Sequence, residues 1–207
     1  MTLQKNKINR RAVIVASGPS ALHFIPPEDV TVIAVNGAID WLSRVDYFFT
    51  LDPSAENIRR LKHRRKGTLY CAAGEAIPDV ITYQRIEYRG QEPQPRGTPE
   101  WWLWRWSAVK TLAVEQGKIH SGNSAWGALG LAYHLGFKDV ALVGVDGTNE
   151  EKIGGGKCNN LSHLPLLFSS ALSQINLTSC GKLKGIPYMD FEEWYENSID
   201  RNTDKFS

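Results

Sequence analysis

The chain has few cysteines, no long apolar run and almost no net charge, and each of these absences excludes some classes of protein. Three of its 207 residues are cysteines, Cys71, Cys158 and Cys180. None forms a CxxC pair, so we expect reduced thiols in a cytoplasm-like compartment. No apolar run approaches the roughly 20 residues that a bilayer span needs, and the polar start lacks the apolar region of a secretory signal. A formal net charge of +2 does not mark the whole chain as a nucleic-acid binder.

Two common nucleotide motifs are also missing. The chain has no GxGxxG after its first apolar run, which weakens an interpretation as an NAD enzyme. Gly156-Lys157 resembles the end of a P-loop, but Glu151 stands where that motif needs glycine and Cys158 replaces the serine or threonine. The triplet Gly154–Gly156 is therefore interpreted as a lid hinge or a plain flexible part of a mobile loop over 149–160.

The chain contains several short apolar runs that end in polar turn residues, and these runs alternate with helix-like segments. This alternation predicts an α/β fold of variant Rossmann-like type, a mostly parallel sheet with helices on both faces. The length favours a single domain, 1–207, with a loop or lid insertion near 90–118. The first predicted strand begins at Ala12, and the others cover Thr31–Val35, Asp46–Leu51, Thr68–Ala73 and Asp139–Val145. The predicted helices cover 37–44, 54–66 and 123–135.

Polar residues follow four of these strands. They are the turn Gly18-Pro19-Ser20 and the residues Asn36, Asp52 and Asp146. Because the carboxyl ends of parallel strands meet at one edge, where open α/β sheets bind ligands, we expect a ligand site there. Glycine lets a ligand approach the backbone, and serine caps a helix or offers a hydroxyl. The alternative is that asparagine and aspartate are common turn formers.

A second candidate is the start of the predicted helix 123–135. Ser121 or Asn123 can cap it, and Gly122 keeps its start thin. A helix N-terminus presents free amides and a positive dipole end, which suits an anion such as a phosphate. The alternative is capping and close packing alone.

His163, after the glycine loop, is the candidate general base, because a neutral imidazole accepts protons near neutral pH. The alternative is an ordinary histidine at a helix start.

Two further segments allow more than one interpretation. The basic run Arg59–Lys66 suits a solvated helix end or, alternatively, a surface for an acidic partner. The tryptophan-rich segment 101–106 suits burial, an oligomer contact or a stacking platform for bases or sugars.

Taken in order, these motifs resemble those of the bacterial lipooligosaccharide sialyltransferases. The resemblance is carried by the Gly-Pro-Ser turn, the Asn after the second strand, the Ser-Gly helix start and the strand ending in Asp146. It implies a Rossmann-like fold that holds a nucleotide sugar, with His163 as the nearest candidate for the base. The residues assigned to the nucleotide are Gly18, Pro19, Ser20, Asn36, Asp52, Ser121, Gly122 and Asn123.

Other segments are more similar to a sister group, and the chain is also similar to short phage-encoded proteins. Thr50–Pro53 and Ile175–Pro187 resemble the flagellin-modifying, motility-associated glycosyltransferases and an archaeal 6-hydroxymethylpterin pyrophosphokinase. Asp52, where the sialyltransferases have asparagine, implies a carboxylate that could hold a metal. Asp52 and Asp146 are therefore the candidate Mg²⁺ ligands.

The leading expectation is a transferase that uses a nucleotide-activated donor, most simply a glycosyltransferase, with His163 or Asp146 taking the acceptor's proton. A Mg-dependent pyrophosphokinase and a non-catalytic nucleotide- or nucleic-acid-binding protein are the alternatives. The acceptor is open between a glycan, a small molecule and a modified DNA base, and a homo-oligomer is open as well. We expect no membrane span and a cytoplasmic location, the host's if the chain is phage-encoded.

Overall fold

The computed structural model describes residues 11–157 and 159–203, without the side chains of 198–203. The predicted thiol Cys158 and the polar start before residue 11 lie outside the described residues. Eight parallel strands form one sheet, which confirms the predicted α/β class. The strands are β1 Arg11–Val15, β2 Thr31–Val35, β3 Tyr47–Thr50, β4 Leu69–Ala73, β5 Ile81–Ile86, β6 Lys118–His120, β7 Asp139–Val143 and β8 Asn176–Ser179.

Five α-helices and two short 3₁₀ helices accompany the sheet in the described part of the chain. The predicted helix 37–44 is instead a 3₁₀ helix, Asn36–Asp40, and a second 3₁₀ helix spans Pro19–Ala21. The segment expected as an insertion, 90–118, contains a short helix. The α-helices are α1 Ala55–Lys62, α2 Pro99–Arg105, α3 Ser124–His134, α4 Leu164–Ser169 and α5 Phe191–Thr203.

The central strands are apolar on both sides because helices cover both faces of the sheet. Side chains alternate along β1, so that Ala12 and Ile14 join one core and Val13 and Val15 join the other. The first core lies under α3 and α4, and the second lies under α1 and Trp194 of α5. This double burial explains why the strands read as continuous apolar runs.

The strand order places a topological switch next to β1. From one edge to the other the order is β6-β5-β4-β3-β2-β1-β7-β8, so the chain builds outward from β1 and then returns to its other side. Arg11 of β1 pairs with Asp139 of β7 in parallel register. Ligands of open α/β sheets bind in the crevice at such a switch, beyond the carboxyl ends of the strands.

Within the described residues, no helix combines the length and the apolar character that crossing a bilayer requires.

Candidate functional site

A cavity of about 720 Å³ opens at the carboxyl edge of the sheet, above the switch between β1 and β7. Its walls are the ends of β1, β2, β3 and β7, the starts of α3 and α4, and the hairpin that holds the glycine triplet. Most of the residues singled out from the sequence line it, whereas Ser20 and Ser121 lie behind the wall. Those that line it are Gly18, Pro19, Asn36, Asp52, Gly122, Asn123, Asp146 and His163.

The Gly-Pro-Ser turn closes against the end of β7. Gly18 N donates to Gly144 O at 2.9 Å. The Ser20 hydroxyl donates to Asp146 Oδ1 at 2.5 Å and accepts from Gly144 N at 3.0 Å. A β-carbon on Gly18 would overlap the Asp146 carboxylate. The close approach that this glycine permits is therefore that of Asp146, and the serine hydroxyl is used within the protein.

Asp146 is buried and its carboxylate is occupied by donors. Besides the hydroxyl of Ser20, it accepts from Ser20 N at 3.0 Å and from Lys182 N at 3.1 Å. Only 5% of the residue is exposed. A carboxylate with three donors at this depth is suited to holding the loops after β1, β7 and β8 together. It has little remaining capacity to take a proton or to coordinate a metal.

A polar network lies where β2 and β3 end. Asn36 and Asp52, both predicted from the sequence, accept hydrogen bonds from the buried Asn57 of α1, at 3.3 and 3.2 Å. Asn57 Oδ1 in turn accepts from Arg60 at 2.7 Å, and Asp40 pairs with Arg60. Asn36 has φ +51°, a conformation that residues other than glycine rarely adopt. All five residues line the cavity.

The start of α3 forms another wall, and Asn123 is its N-cap. Asn123 Oδ1 accepts from Trp126 N at 2.8 Å, so the capping role belongs to Asn123 and not to Ser121. Gly122 has no room for a side chain, because a β-carbon would lie 2.6 Å from Leu167 Cδ2. The amides of Ser124 and its successor belong to the first turn, where the helix offers no carbonyl acceptor. This wall therefore presents donors to the cavity.

Arg85 of β5 brings a cation to the same end of the cavity. Its guanidinium donates to Ser121 Oγ at 2.9 and 3.1 Å and to Leu51 O at 3.3 Å. Glu87 pairs with it at 2.8 Å from the exposed side. Ser121 is completely buried and acts as the support for Arg85.

His163 stands just before α4 and is 1% exposed. Neither ring nitrogen has a hydrogen-bond partner among the described residues. Burial lowers the pKa of His163 to about 4, so the ring is neutral at neutral pH. Buried polar groups are normally paired, so the ring nitrogens of His163 are free to bond to a water or a ligand that enters the cavity. Trp41, which also lines the cavity, has a buried indole N–H without an acceptor in the described structure.

The glycine triplet forms the turn of a small hairpin over the cavity. Lys152 N donates to Gly156 O at 3.0 Å, and Ile153 N donates to Ser17 O at 2.8 Å. The hairpin is thereby tied to the turn after β1. Lys152 lines the cavity, and its ammonium makes no ion pair with any described residue.

Three of the six lysines and arginines in the basic run bond to the protein's own acceptors. Arg60 pairs with Asp40, Arg64 donates to the carbonyls of Leu61, Pro78 and Asp79, and Arg65 donates to that of Leu42. The other three, Arg59, Lys62 and Lys66, are exposed and make no ion pair with a described residue. A helix end and a surface for an acidic partner therefore both stay predictions.

The tryptophans of α2 pack mainly against the loop that precedes it. Trp101 donates to Glu92 at 2.8 Å and Trp104 donates to Gly90 O at 2.8 Å. Trp106 differs from them because it lines the cavity, and Arg105 lies over its ring.

Three residues that line the cavity, Asn57, Arg85 and Lys152, were not predicted from the sequence. Arg85 lies in β5, whose short alternating sequence from Ile81 could have predicted an exposed strand ending near the predicted ligand edge. Asn57 lies in the first turn of a charged helix, and nothing in the neighbouring sequence distinguishes it from a surface residue.

Comparison of the chain with family models, with curated proteins and with solved structures finds no match. The functional assignment therefore depends on the cavity itself.

Proposed function

We propose that the protein transfers a glycosyl group from a nucleotide sugar, bound in the cavity at the β1/β7 switch, to an acceptor hydroxyl. The observation that carries this proposal is His163, a buried, neutral and unpaired imidazole on the cavity wall. A neutral imidazole in contact with a reacting hydroxyl serves as a general base, and the negative charge of a bound nucleotide would raise the pKa of His163 above the value that burial alone gives the ring. The motif resemblance to nucleotide-sugar transferases points in the same direction.

The donor's phosphates suit the end of the cavity where α3 begins. The first-turn amides of α3 and the guanidinium of Arg85 are the donors at that end, and Lys152 adds a cation elsewhere on the cavity lining. Preorganised donors of this kind stabilise the negative charge that develops on a departing nucleotide. Together they account for leaving-group stabilisation without a proton transfer to the nucleotide.

The transfer step balances with His163 as the base. The bond between the anomeric carbon and the phosphate oxygen breaks, and its electron pair leaves with the nucleotide. An acceptor oxygen forms the new bond to that carbon, and its proton passes to a ring nitrogen of His163. Asp146, the other predicted base, has its oxygens occupied by Ser20 and Lys182, so we assign the proton to His163.

The predicted metal ligands fit a divalent cation poorly as a pair. Asp52 is exposed on the rim and retains free lone pairs, whereas the Asp146 carboxylate already accepts from three donors. Within the described residues, no three side chains of the metal-binding types come together. If Mg²⁺ takes part, Asp52 is the residue that would hold it, and the ion would then neutralise charge on the donor's phosphates.

Thermal denaturation in the presence of nucleotides tests the proposal first. CMP, UDP, GDP, ADP, ATP and the corresponding nucleotide sugars are added with Mg²⁺ or with EDTA. A ligand at 100 times its Kd stabilises the fold by about 2.7 kcal/mol. We expect stabilisation by one nucleotide and its sugar in EDTA. Stabilisation only by a triphosphate with Mg²⁺ would support the pyrophosphokinase instead, and no stabilisation at all would overturn both.

Turnover of the stabilising nucleotide sugar is then followed as release of free nucleotide. We expect His163→Gln to bind the donor as the unmodified chain does, yet to release nucleotide at least about 100-fold more slowly. His134→Gln is the matched control, because His134 is packed against Tyr83 away from the cavity. Equal rates in the unmodified chain and in His163→Gln would remove the base from the mechanism.

A further inference from the structure

The polar network at the ends of β2 and β3 has a fixed direction of hydrogen bonding. Arginine can only donate, so Asn57 Oδ1, 2.7 Å from Arg60 Nη1, must be the acceptor. Asn57 Nδ2 is thereby turned toward Asn36 Oδ1, at 3.3 Å, and toward Asp52 Oδ2, at 3.2 Å. Asn36 presents its oxygen to the network and keeps its amide Nδ2, which has no partner among the described residues.

The network is also held in place. Asn57 is 2% exposed, and Asp40 Oδ2 accepts from Arg60 Nε at 3.0 Å and from Nη2 at 2.6 Å. The backbone of Asn36 is left-handed, a conformation that asparagine adopts more readily than most residues. The cavity therefore offers, side by side, one free amide donor on Asn36 and one exposed carboxylate acceptor on Asp52.

We propose that Asn36 and Asp52 bind the 2′,3′-diol of a ribonucleotide, and that Asn57 is the residue that positions them. Asn36 Nδ2 donates to the oxygen of the 3′ hydroxyl, and the Asp52 carboxylate accepts from the 2′ hydroxyl next to it. A vicinal diol suits this pair because every hydroxyl both donates and accepts. Both side chains hydrogen-bond to Asn57 Nδ2, so they lie within about two hydrogen-bond lengths of each other.

The chemistry has a general counterpart in dinucleotide-binding sheets, where an acidic residue near the strand ends holds the ribose hydroxyls. Here the carboxylate follows β3 and the amide follows β2. The ribose assignment rests on the proposed function, since it names the donor as a ribonucleotide. It also makes a separate prediction, because a 2′-deoxynucleotide lacks the 2′ hydroxyl and would leave Asp52 without its partner.

Calorimetric titration of the full chain with AMP, GMP, CMP and UMP, and then with the 2′-deoxy form of the tightest binder, tests the diol subsite. We expect the deoxynucleotide to bind at least about tenfold more weakly, which is the loss of one hydrogen bond to a charged group. Asp52→Ala should bind both forms about equally. Glu56→Ala, which removes another exposed carboxylate from the same cavity wall, should keep the preference.

Asn57→Ala tests the positioning role. Affinity for the ribonucleotide should fall more than affinity for the deoxynucleotide, so the preference should shrink, whereas a general loss of structure would weaken both equally. If this variant does not fold, Asp52→Ala still decides the proposal.

The possible failures are distinguishable. If the deoxynucleotide binds within about twofold of the ribonucleotide, the diol subsite is wrong and the nucleotide site stands. If Glu56→Ala abolishes the preference as Asp52→Ala does, the diol contact is also wrong. A clear ribose preference without turnover of any nucleotide sugar supports the subsite and overturns the transferase. No binding of any monophosphate overturns the subsite and removes the support for the nucleotide site as well.

Discussion

Gly127 of α3 lies so close to Phe49 of β3 that a β-carbon on it would stand 2.6 Å from the ring carbon Cε1. Three residues later, Gly130 has a β-carbon position 3.5 Å from Ile119, an ordinary contact distance. We expect Gly127→Ala to lower the free energy of unfolding by about 1–3 kcal/mol through overpacking. Gly130→Ala should raise it by up to about 1 kcal/mol, because alanine favours a helix.

Urea denaturation of the two variants measures this contrast. Equal changes of the same sign in the free energy of unfolding would mean that α3 does not pack closely against β3 at Gly127.

Asp146→Asn is expected to destabilise the fold. In either orientation, its amide nitrogen would face a backbone donor, Ser20 N or Lys182 N. One buried donor left without an acceptor costs about 1–3 kcal/mol. Glu151→Gln, on the exposed hairpin, should change the free energy of unfolding by less than about 0.5 kcal/mol. Chemical denaturation gives both free energies of unfolding. If Asp146→Asn is as stable as the unmodified chain but has lost turnover, Asp146 takes part in catalysis.

His163 should make the fold sensitive to mild acid. The unfolded ring, with a pKa of 6.5, takes up a proton that the folded ring resists until a pH of about 4. Between these values the unfolded state binds more protons, so stability falls as the pH falls and changes no further below about 4. The part due to His163 amounts to at most about 3 kcal/mol.

The measurement is the free energy of unfolding from pH 7 to pH 4 for the unmodified chain and for His163→Gln. The variant should lose less stability over this range, since glutamine does not titrate. Parallel curves would show that the folded ring is protonated as readily as the unfolded one.

Arg85 is expected to act on the phosphates of the donor and not on its base. Arg85→Gln should weaken binding of the nucleoside diphosphate by about tenfold or more, while a nucleoside without phosphate binds unchanged. Arg89→Gln is the matched control, because Arg89 lies over Trp104 and away from the cavity. Calorimetric titration with both ligands distinguishes a phosphate contact from a general disturbance, which would weaken both.

The fold could be predicted from the sequence where strands are buried on both faces. β1, β2 and β7 are rich in β-branched residues and β4 is apolar, and their predicted positions agree with the structure to within two residues. β5, β6 and β8 were not predicted, because the outer strands carry polar residues and β6 has only three residues. Their pairing is decided by contacts with strands far away in the sequence.

The site was predictable to the extent that it follows from strand ends. Asn36, Asp52 and Asp146 meet at one edge because the sheet is parallel, and that geometry needs no side-chain detail. Which of them faces the cavity with free atoms is decided by tertiary contacts. Asp146 is turned inward by Ser20, and Asn36 is oriented from Asn57, a partner 21 residues away.

The strand order has a consequence for the protein while the ribosome is still making it. β1 to β5 each pair with the strand that follows in sequence, so the strands from β1 to β6 can assemble as they emerge. The other edge of β1 stays unpaired until β7 has been made. Asp139 of β7, which pairs with Arg11 of β1, lies 128 residues later in the sequence. Until then the open edge of β1, which is apolar from Ala12 to Val15, can pair with other chains. A product that stops before β7 would therefore lack the cavity and present a surface prone to aggregation.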